Sequence, residues 1–191
     1  MEPAALSAMT ATIENPAEEL QNFDRVVHLY RPVIFRFVLA SLRDRDDAES
    51  LTQDCFLRAF RYRSQFRGDA ALKTWLMQIA ANLVRDLTRS RRFQFWKRAQ
   101  STAARAHDLV DFLSSRETSP EKKTLVEEQL RAIWAASARL SERQRAVFVL
   151  RFVEDMDLLE IGAVLKMKEG TVKKHLFRAL SAVREEMGRL P

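Results

Sequence analysis

The chain has 191 residues, of which 47% are hydrophobic, and this is enough apolar surface for a buried core, so a wholly disordered protein is excluded. Its 4 glycines and 5 prolines are few, a composition that favours helices over a turn-rich sheet protein. The formal net charge of +6 favours a polyanionic partner, and the single cysteine, Cys55, excludes an internal disulfide and suits a reducing cytoplasm.

Residues 1–21 are rich in Ala, Thr and Pro, a composition that predicts a flexible leader. This segment has an acid at Glu2, no basic start and no long apolar run, so it does not have the pattern of a signal peptide. The best apolar stretch elsewhere, VIFRFVLA, contains Arg36 and is far shorter than the ~20 residues of a membrane-spanning helix. We therefore expect a cytoplasmic protein with no direct membrane insertion.

Residues 22–95 have the pattern of a compact helical module. Apolar residues at helical spacing begin at Phe23, and Pro32 inside this stripe predicts a kink or a break near Arg31. Asp46 is predicted to cap the next helix, with Glu49 completing a capping box. The inner side of that helix is predicted to carry Leu51, Cys55, Phe56, Ala59 and Phe60.

A loop around Gly68 precedes the clearest amphipathic stripe in the chain. The stripe predicts a core-facing helix of about five turns, with Leu72, Trp75, Leu76, Ile79, Ala80, Leu83 and Leu87 on one face. The basic end of this helix carries Arg85, Arg89 and Arg92, followed by Phe93, Phe95 and Trp96. Cations beside aromatic rings suit a nucleic-acid strand, and the alternative is a solvated helix end with its rings packed into the module.

Residues 96–120 lose helical periodicity and predict a flexible linker, whose apolar patch from Leu109 to Leu113 forms a short helix or docks on a partner. Residues 121–191 predict a second helical module, with two capping boxes, Ser141 with Gln144 and Asp157 with Glu160. Its first helix is predicted to share one face among Val126, Leu130, Ile133 and Trp134, and its last to bury Val172, Leu176, Ala179, Leu180 and Val183. The predicted fold class is all-α, with two small modules joined by a linker.

The segment from Asp157 to Arg178 fits a helix-turn-helix: a capped helix of about two turns, a tight connection at residues 166–168 and a longer basic helix. Gly162 supplies a small residue where the two helices approach. The side chains predicted to point away from the apolar stripe, and so to be able to enter a major groove, are Thr171, Lys173, Lys174, His175 and Arg178. The alternative is an ordinary helical hairpin with solvated lysines.

These segments resemble the sigma-70 family of bacterial RNA polymerase sigma factors. The stretches DDAESLTQDCFLRAFRYRSQF and KTWLMQIAANLVRDLTRSRR resemble its region 2, and LSERQRAVFVLRFVEDMDLLEIGAVLKMKEGTVKKHLFRAL resembles its region 4. The motifs stand in the correct order over about residues 23–187, and without a sign of regions 1.1 or 3 the extracytoplasmic-function branch fits best.

The resemblance implies an alternative sigma factor that binds core RNA polymerase and promoter DNA and directs transcription initiation. It implies no enzymatic activity, no cofactor and no metal site, and control by an anti-sigma factor that is often membrane-bound. Residues 22–95 would bind polymerase and the minus-ten strand, and residues 121–191 would read the minus-thirty-five duplex.

The resemblance also assigns individual residues. Polymerase would be bound through Asp47, Glu49, Leu51, Gln53, Asp54, Phe56 and Leu57. The melted minus-ten strand would be captured by Phe66, Lys73, Asn82, Arg85, Asp86, Arg89 and Arg92. The helix-turn-helix would contact DNA through Glu160, Lys168, Glu169, Thr171, Lys173, Lys174, His175 and Arg178.

Three positions depart from the family pattern: Ser50 replaces a usual Asp, Ser141 replaces a common Pro, and Lys166 stands where a glycine often makes the turn. The lysine predicts a backbone strain of ~1 kcal/mol, and Ser141 can cap the helix that it precedes.

Two rival classes account for less of the sequence. A helix-turn-helix regulator with an unrelated sensor explains residues 157–178 but not the first module. For a basic nuclease, the cluster of Asp44, Asp46 and Asp47 lies at a helix start, where carboxylates favour the helix dipole. The three histidines, His28, His107 and His175, lack any metal-binding spacing.

Overall fold

The computed structural model describes residues 20–95, 133–137 and 139–188, and all regular secondary structure in these ranges is helical. The helices are α1 (Phe23–Leu42), α2 (Arg45–Tyr62, followed by a 3-10 turn, Arg63–Gln65), α3 (Leu72–Phe95), a short segment over residues 133–137, α4 (Glu142–Phe152), α5 (Leu158–Leu165) and α6 (Glu169–Met187). The predicted all-α fold class is confirmed. No helix in the described ranges is long and apolar enough to cross a membrane. The predicted linker and the stripe positions Val126 and Leu130 lie outside the described residues.

Helix α1 continues through Pro32, so the predicted break near Arg31 does not occur. Proline lacks an N–H and costs a helix interior ~3 kcal/mol. The turns after Pro32 bury Ile34, Phe37 and Val38, each at most 1% exposed. Burying one such side chain stabilises the fold by about 1.5–3 kcal/mol, so the packing of three outweighs the cost of the proline.

Helix α2 is capped by Asp44, whose side chain accepts a hydrogen bond from the backbone N–H of Asp47 at 3.0 Å. The prediction that Asp46 is the cap was wrong, because the link from α1 is so short that Asp46 already lies in the first turn of α2. Glu49 does not complete a capping box with Asp46 and instead forms an exposed ion pair with Arg31 at 2.6 Å.

The inner side of α2 is as predicted at four of its five positions. Leu51, Cys55, Phe56 and Ala59 are buried. The exception is Phe60, which is 47% exposed and packs edge-on against the ring of Phe23 with 5.2 Å between centroids. Burial raises the pKa of the Cys55 thiol to about 12, so this cysteine remains a protonated core residue.

Helix α3 is longer than the predicted five turns, with 24 residues, and it is packed on two faces. The predicted stripe faces the first module, where Leu72, Leu76 and Ala80 are buried. Met77 and Val84 lie off that stripe and are buried as well, at 0% and 5% exposure. The stripe predicted only one of these faces, because the second face is covered by helix α5 of the other module.

Local capping organises the second module as predicted. Ser141 and Gln144 form a complete capping box at the start of α4, and Asp157 and Glu160 form another at the start of α5. In the second box the carboxylate of Glu160 accepts from the N–H of Asp157 at 2.8 Å. In α6, Val172, Ala179 and Val183 are buried and Leu176 and Leu180 are half-buried, in agreement with the predicted stripe.

The two modules pack directly against each other, an arrangement that the sequence did not predict. Helix α1 contacts α4, helix α3 contacts α5, and one cluster of buried apolar side chains runs through both modules. The guanidinium of Arg145 donates to the carbonyl of Ser41 at 3.0 Å in the first module and to those of Ser137 and Leu140 in the second. Across the same contact, the guanidinium of Arg43 lies 4.5 Å from the ring centroid of Trp134.

Replacing Gly162 by alanine should destabilise the protein. A Cβ at this position would lie 2.8 Å from the carbonyl oxygen of Met167, a backbone atom that holds the turn between α5 and α6. We expect a loss of about 1–3 kcal/mol in the free energy of unfolding, measured by chemical denaturation followed by circular dichroism. Gly170→Ala is the matched control, since nothing lies within 4 Å of its Cβ. Equal stability of the two variants would contradict the close approach at Gly162.

Candidate nucleic-acid interface

The helix-turn-helix has a connection of three residues, between Leu165 at the end of α5 and Glu169 at the start of α6. Lys166 makes the turn with φ 53° and ψ 50°, in the left-handed region that favours glycine. The sequence predicted a strained backbone here, because Lys166 stands where a glycine often makes the turn. The backbone N–H of Met167 donates to the carbonyl of Gly162 at 2.9 Å. This bond requires the close approach that Gly162 permits, and it sets the angle at which α6 leaves the turn.

The exposed face of α6 presents the cations that the sequence predicted for duplex DNA. Exposed residues of the predicted set are Lys168, Glu169, Thr171, Lys173, Lys174 and Arg178. Lys173 forms an ion pair with Glu169 at 2.6 Å on the same helix. Glu160 differs from the rest, because its carboxylate is engaged in capping α5.

His175 is half-buried, as Glu160 is, and its Nδ1 has no hydrogen-bond partner among the described residues. Burial lowers the pKa of this imidazole, and the nearby charges of Arg143, Arg178 and Lys174 lower the pKa further. The side chain is therefore neutral at pH 7 in the middle of a cationic surface. Such a surface attracts phosphate groups.

The predicted strand-capture residues lie on α3 and on the loop before it. Phe66 and Trp75 pack ring on ring with 5.2 Å between centroids. Oδ1 of Asn82 accepts a hydrogen bond from Nη2 of Arg85 at 2.8 Å, and Nε of Arg85 lies 3.9 Å from Oδ1 of Asp86. Arg89 is exposed, and the side chain of Arg92 lies outside the described residues. Lys73 donates to the backbone carbonyl of Glu154, in the second module, at 2.7 Å.

Part of each set of predicted DNA contacts lines one cleft between the modules, with a volume of about 780 Å³. Helix α3 lines it with Asn82, Arg85 and Arg89, and the second module lines it with Arg143, Lys166, Lys168, Thr171 and His175. Among the described residues that line the cleft, Glu142 is the acid, and its carboxylate accepts a hydrogen bond from the hydroxyl of Thr88. The cleft is strongly electropositive.

The predicted polymerase-binding residues on α2 fall into two groups. Gln53, Asp54 and Leu57 are exposed, and Asp47 and Glu49 are half-buried, so these five lie at the surface. Leu51 and Phe56 are 8% and 7% exposed, so they are core residues that support this surface from below and do not form its exposed part. The apolar part of the surface is extended by Phe60, three residues after Leu57, which the sequence analysis did not assign to it.

The residues that the sequence analysis missed are those that join the modules. Arg36 binds the carboxylate of Glu154 through two hydrogen bonds, of 2.7 Å and 2.9 Å, between residues that are 118 positions apart. An arginine within an apolar stripe, as in VIFRFVLA, was the one available signal, since a charge in such a stripe needs a partner. The identity of that partner was not visible in the sequence.

Each of the two modules matches a known protein family. A family described as "Sigma-70 region 2" matches residues 26–94, and one described as "Sigma-70, region 4" matches residues 130–183. The matches occur in the order that the sequence motifs indicated, and together they include helices α1–α6 almost completely.

Curated relatives match over most of their length. The chain is 26% identical over 165 residues to the ECF RNA polymerase sigma factor SigW of Bacillus subtilis, which covers 86% of this chain and 88% of the relative. It is 29% identical over 174 residues to the ECF RNA polymerase sigma-E factor of Escherichia coli K12, and the match covers 87% of this chain and 89% of the relative.

Solved structures show the same fold. The sigma factor RpoE of Bartonella quintana, solved in complex with the anti-sigma factor NepR, superposes with a TM-score of 0.70 at 20% identity, covering 90% of this chain and 99% of that one. CnrH, solved in complex with the cytosolic domain of CnrY, superposes with a TM-score of 0.62 at 19% identity, covering 91% and 92%.

The titration of His175 should occur below the ordinary pKa of 6.5, because burial and three neighbouring cations disfavour the imidazolium. The unfolded chain then binds more protons than the folded chain in the interval below pH 6.5. The contribution of this group to stability is therefore complete above pH 6.5 and is lost as the pH falls toward the folded pKa.

The measurement is the pH dependence of the imidazole resonances of His175 by nuclear magnetic resonance. Arg143→Gln should move the titration of His175 back toward 6.5, because it removes the cation that lowers this pKa most after burial. A midpoint at or above 6.5 in the unmodified protein would contradict the described environment.

Proposed function

Because the chain belongs to the extracytoplasmic-function group of the sigma-70 family, we propose that it is an alternative sigma factor that binds core RNA polymerase in the cytoplasm and directs it to specific promoters. The observation that carries this function is the succession of region 2 and a region 4 helix-turn-helix in one helical chain. In this proposal residues 22–95 bind polymerase and the minus-ten strand, residues 121–191 bind the minus-thirty-five duplex, and 1–21 and 96–120 are a leader and a linker. The protein contributes specificity, and the chemistry of RNA synthesis belongs to the polymerase.

The proposed polymerase-binding surface is the outer face of α2. It combines the exposed carboxylate of Asp54 and the amide of Gln53 with the apolar side chain of Leu57, which is 56% exposed. The apolar surface continues through Phe60 at the end of the helix. A mixed patch of this kind, with an exposed apolar centre and acids beside it, is typical of a protein–protein interface.

The proposed strand-capture surface joins the loop before α3 to the exposed face of α3. Phe66 supplies an aromatic ring and Lys73 a cation at the start of this surface, and Arg85 and Arg89 follow along the helix. Aromatic rings stack on unpaired bases while cations hold the phosphates, which is the usual combination for single-stranded DNA. In family members this capture flips a base out of the stack, at a cost of a few kcal/mol.

The proposed duplex-reading element is α6, whose exposed face carries Thr171, Lys174 and Arg178. The first turn of a helix with this placement enters the major groove in helix-turn-helix proteins, where side chains reach base edges and phosphates. The left-handed turn at Lys166 and the capped α5 fix the orientation of this helix.

We further propose that an anti-sigma factor, often membrane-bound in this family, controls the protein. Two solved structures with the same fold are complexes: the sigma factor RpoE with the anti-sigma factor NepR, and CnrH with the cytosolic domain of CnrY. The described helices are accounted for by the two modules, so control by a partner protein fits better than control by a ligand bound to these helices.

Charge reversal at Asp54 should weaken the association with core polymerase. Asp54→Lys places a cation in the proposed acidic and apolar surface without touching the core, so helicity by circular dichroism should be unchanged. The measurement is transcription from a target promoter by core polymerase with added protein and no added ligand, together with the affinity for core. Asp155→Lys is the control, since Asp155 is 99% exposed and lies in the other module.

Normal holoenzyme assembly by Asp54→Lys would remove this residue from the interface. Failure of the unmodified protein to support any initiation by core polymerase would overturn the proposed function. A strict requirement for a small molecule bound to this chain would overturn control by an anti-sigma factor.

Lys174→Ala and Arg89→Ala should impair different steps of initiation. Lys174→Ala should weaken binding to the upstream duplex; if Lys174 contacts a phosphate, the slope of log K against log salt should fall by about one unit for every sequence. Arg89→Ala should leave duplex binding intact and reduce strand opening, followed by permanganate reactivity of unpaired thymines. Unchanged initiation by both variants at moderate salt would contradict the assignment of both surfaces.

A further inference from the structure

Two cations of the first module converge on one residue of the second. The guanidinium of Arg36 binds both carboxylate oxygens of Glu154, with Nε–Oε1 and Nη2–Oε2 distances of 2.7 Å and 2.9 Å. The ammonium of Lys73 donates to the backbone carbonyl of the same residue at 2.7 Å. The two donors therefore bind separate groups of one residue, the side-chain carboxylate and the backbone carbonyl of Glu154.

Glu154 reaches this position from the turn between α4 and α5. Its side chain is 1% exposed, whereas that of its neighbour Asp155 is 99% exposed. A buried carboxylate loses its hydration and needs charged partners, and here they come from the other module. Separation of the modules would expose Glu154 to water. Arg36 and Lys73 would then be free to bind another anion.

The geometry of the Arg36 contact matches a phosphate as well as a carboxylate, since a guanidinium binds either anion through two parallel N–H···O bonds. The ammonium of Lys73, bound to the backbone carbonyl of the same residue, adds a second positive charge to this part of the surface. Lys73 belongs to the proposed strand-capture surface. Arg36, on α1, was not assigned to that surface by the sequence.

We propose that Arg36 and Lys73 form a phosphate-binding site for single-stranded DNA, and that Glu154 occupies this site when the modules are closed. This inference rests on the proposed function, since it adds Arg36 to the strand-capture surface and makes the turn at Glu154 an intramolecular competitor of the strand. The strand reaches the site only after the second module has moved away. The apparent affinity of the free chain for the strand is then reduced by the fraction of molecules that are open.

A purely structural ion pair predicts a different outcome from a phosphate site. If the pair only holds the modules together, removing either partner opens the molecule, and the two variants then differ in DNA binding only by the effect of net charge, which the Asp155→Asn control measures. If Arg36 binds phosphate, the two removals diverge, because Glu154→Ala opens a complete site and Arg36→Ala opens a site that has lost one cation.

The experiment measures binding of a fluorescent single-stranded DNA of about 16 nucleotides to the full chain by anisotropy, over a range of salt concentrations. Glu154→Ala should bind more tightly than the unmodified protein, by a factor between about 5 and 150, the usual range for coupling between sites. Arg36→Ala should bind roughly ten-fold more weakly than Glu154→Ala, with a salt slope shallower by ~0.7, the value for one phosphate contact on a single strand. The double variant should behave as Arg36→Ala does.

Asp155→Asn is the matched control, since it removes a carboxylate one residue away that is exposed and has no partner in the first module among the described residues. It should leave strand binding unchanged. Glu154→Gln keeps the shape of the side chain and removes its charge, so it should shift binding in the same direction as Glu154→Ala. It takes the place of Glu154→Ala in the comparison if Glu154→Ala does not fold. Circular dichroism of each variant confirms folding.

Equal affinities of Arg36→Ala and Glu154→Ala, or no binding by any variant, would overturn the phosphate site. These outcomes differ from failure of the proposed function, which is tested by initiation with core polymerase. If initiation occurs while the two variants bind single-stranded DNA equally, only the assignment of Arg36 is contradicted. If their affinities differ as expected while the chain supports no initiation, the single-strand site is supported and the proposed function is contradicted.

Discussion

The packing of the two modules against each other determines which surfaces of this protein are free. Helices α1 and α3 of the first module contact α4 and α5 of the second over a continuous apolar cluster. Several of the polar contacts across the boundary involve charged groups, as in the Arg36–Glu154 pair and in the bonds from Arg145 to backbone carbonyls of both modules. Charges at such a boundary recover their hydration when it opens, so the contact is more readily reversible than an apolar one of the same area.

This packing places two cationic surfaces face to face. Arg85 and Arg89 of α3 share a cleft with Lys166 and Lys168 of the helix-turn-helix, and Glu142 offsets part of their charge. Like charges in a confined cleft repel one another, and phosphate groups would relieve that repulsion. The repulsion between these cations therefore favours opening of the modules, while the apolar cluster favours closure.

The proposed function requires the open arrangement for a geometric reason. The minus-ten and minus-thirty-five elements are separated by about 25 base pairs, or roughly 85 Å at 3.4 Å per base pair. In the closed arrangement Arg85 and Arg89 of the proposed strand-capture surface share one cleft of about 780 Å³ with Thr171 of the proposed duplex-reading helix. A single promoter cannot reach both surfaces in that form, so the proposed function requires the modules to separate during initiation.

Much of the local structure followed from the sequence by itself, because it depends on residues within a turn or two of each other. The capping boxes at Ser141 and Asp157, the approach at Gly162 and the left-handed turn at Lys166 are all set by contacts over at most five positions. The order of the two modules and the exposed cations of α6 followed as well, from motif order and helical spacing. The start of α2 is a local feature that was mispredicted, because three aspartates compete for one cap and Asp44 takes it.

The tertiary structure decided what depends on distant partners. Pro32 stays within a helix because the following turns are buried, and Met77 and Val84 are buried because another module covers them. Leu51 and Phe56 proved to be core residues beneath the proposed polymerase-binding surface, whereas Phe60 proved to be exposed. The pairing of Arg36 with Glu154 joins residues 118 positions apart, and helical periodicity carries no information at that separation. Sequence spacing reports which face of a helix is apolar, and only the packed fold determines what covers that face.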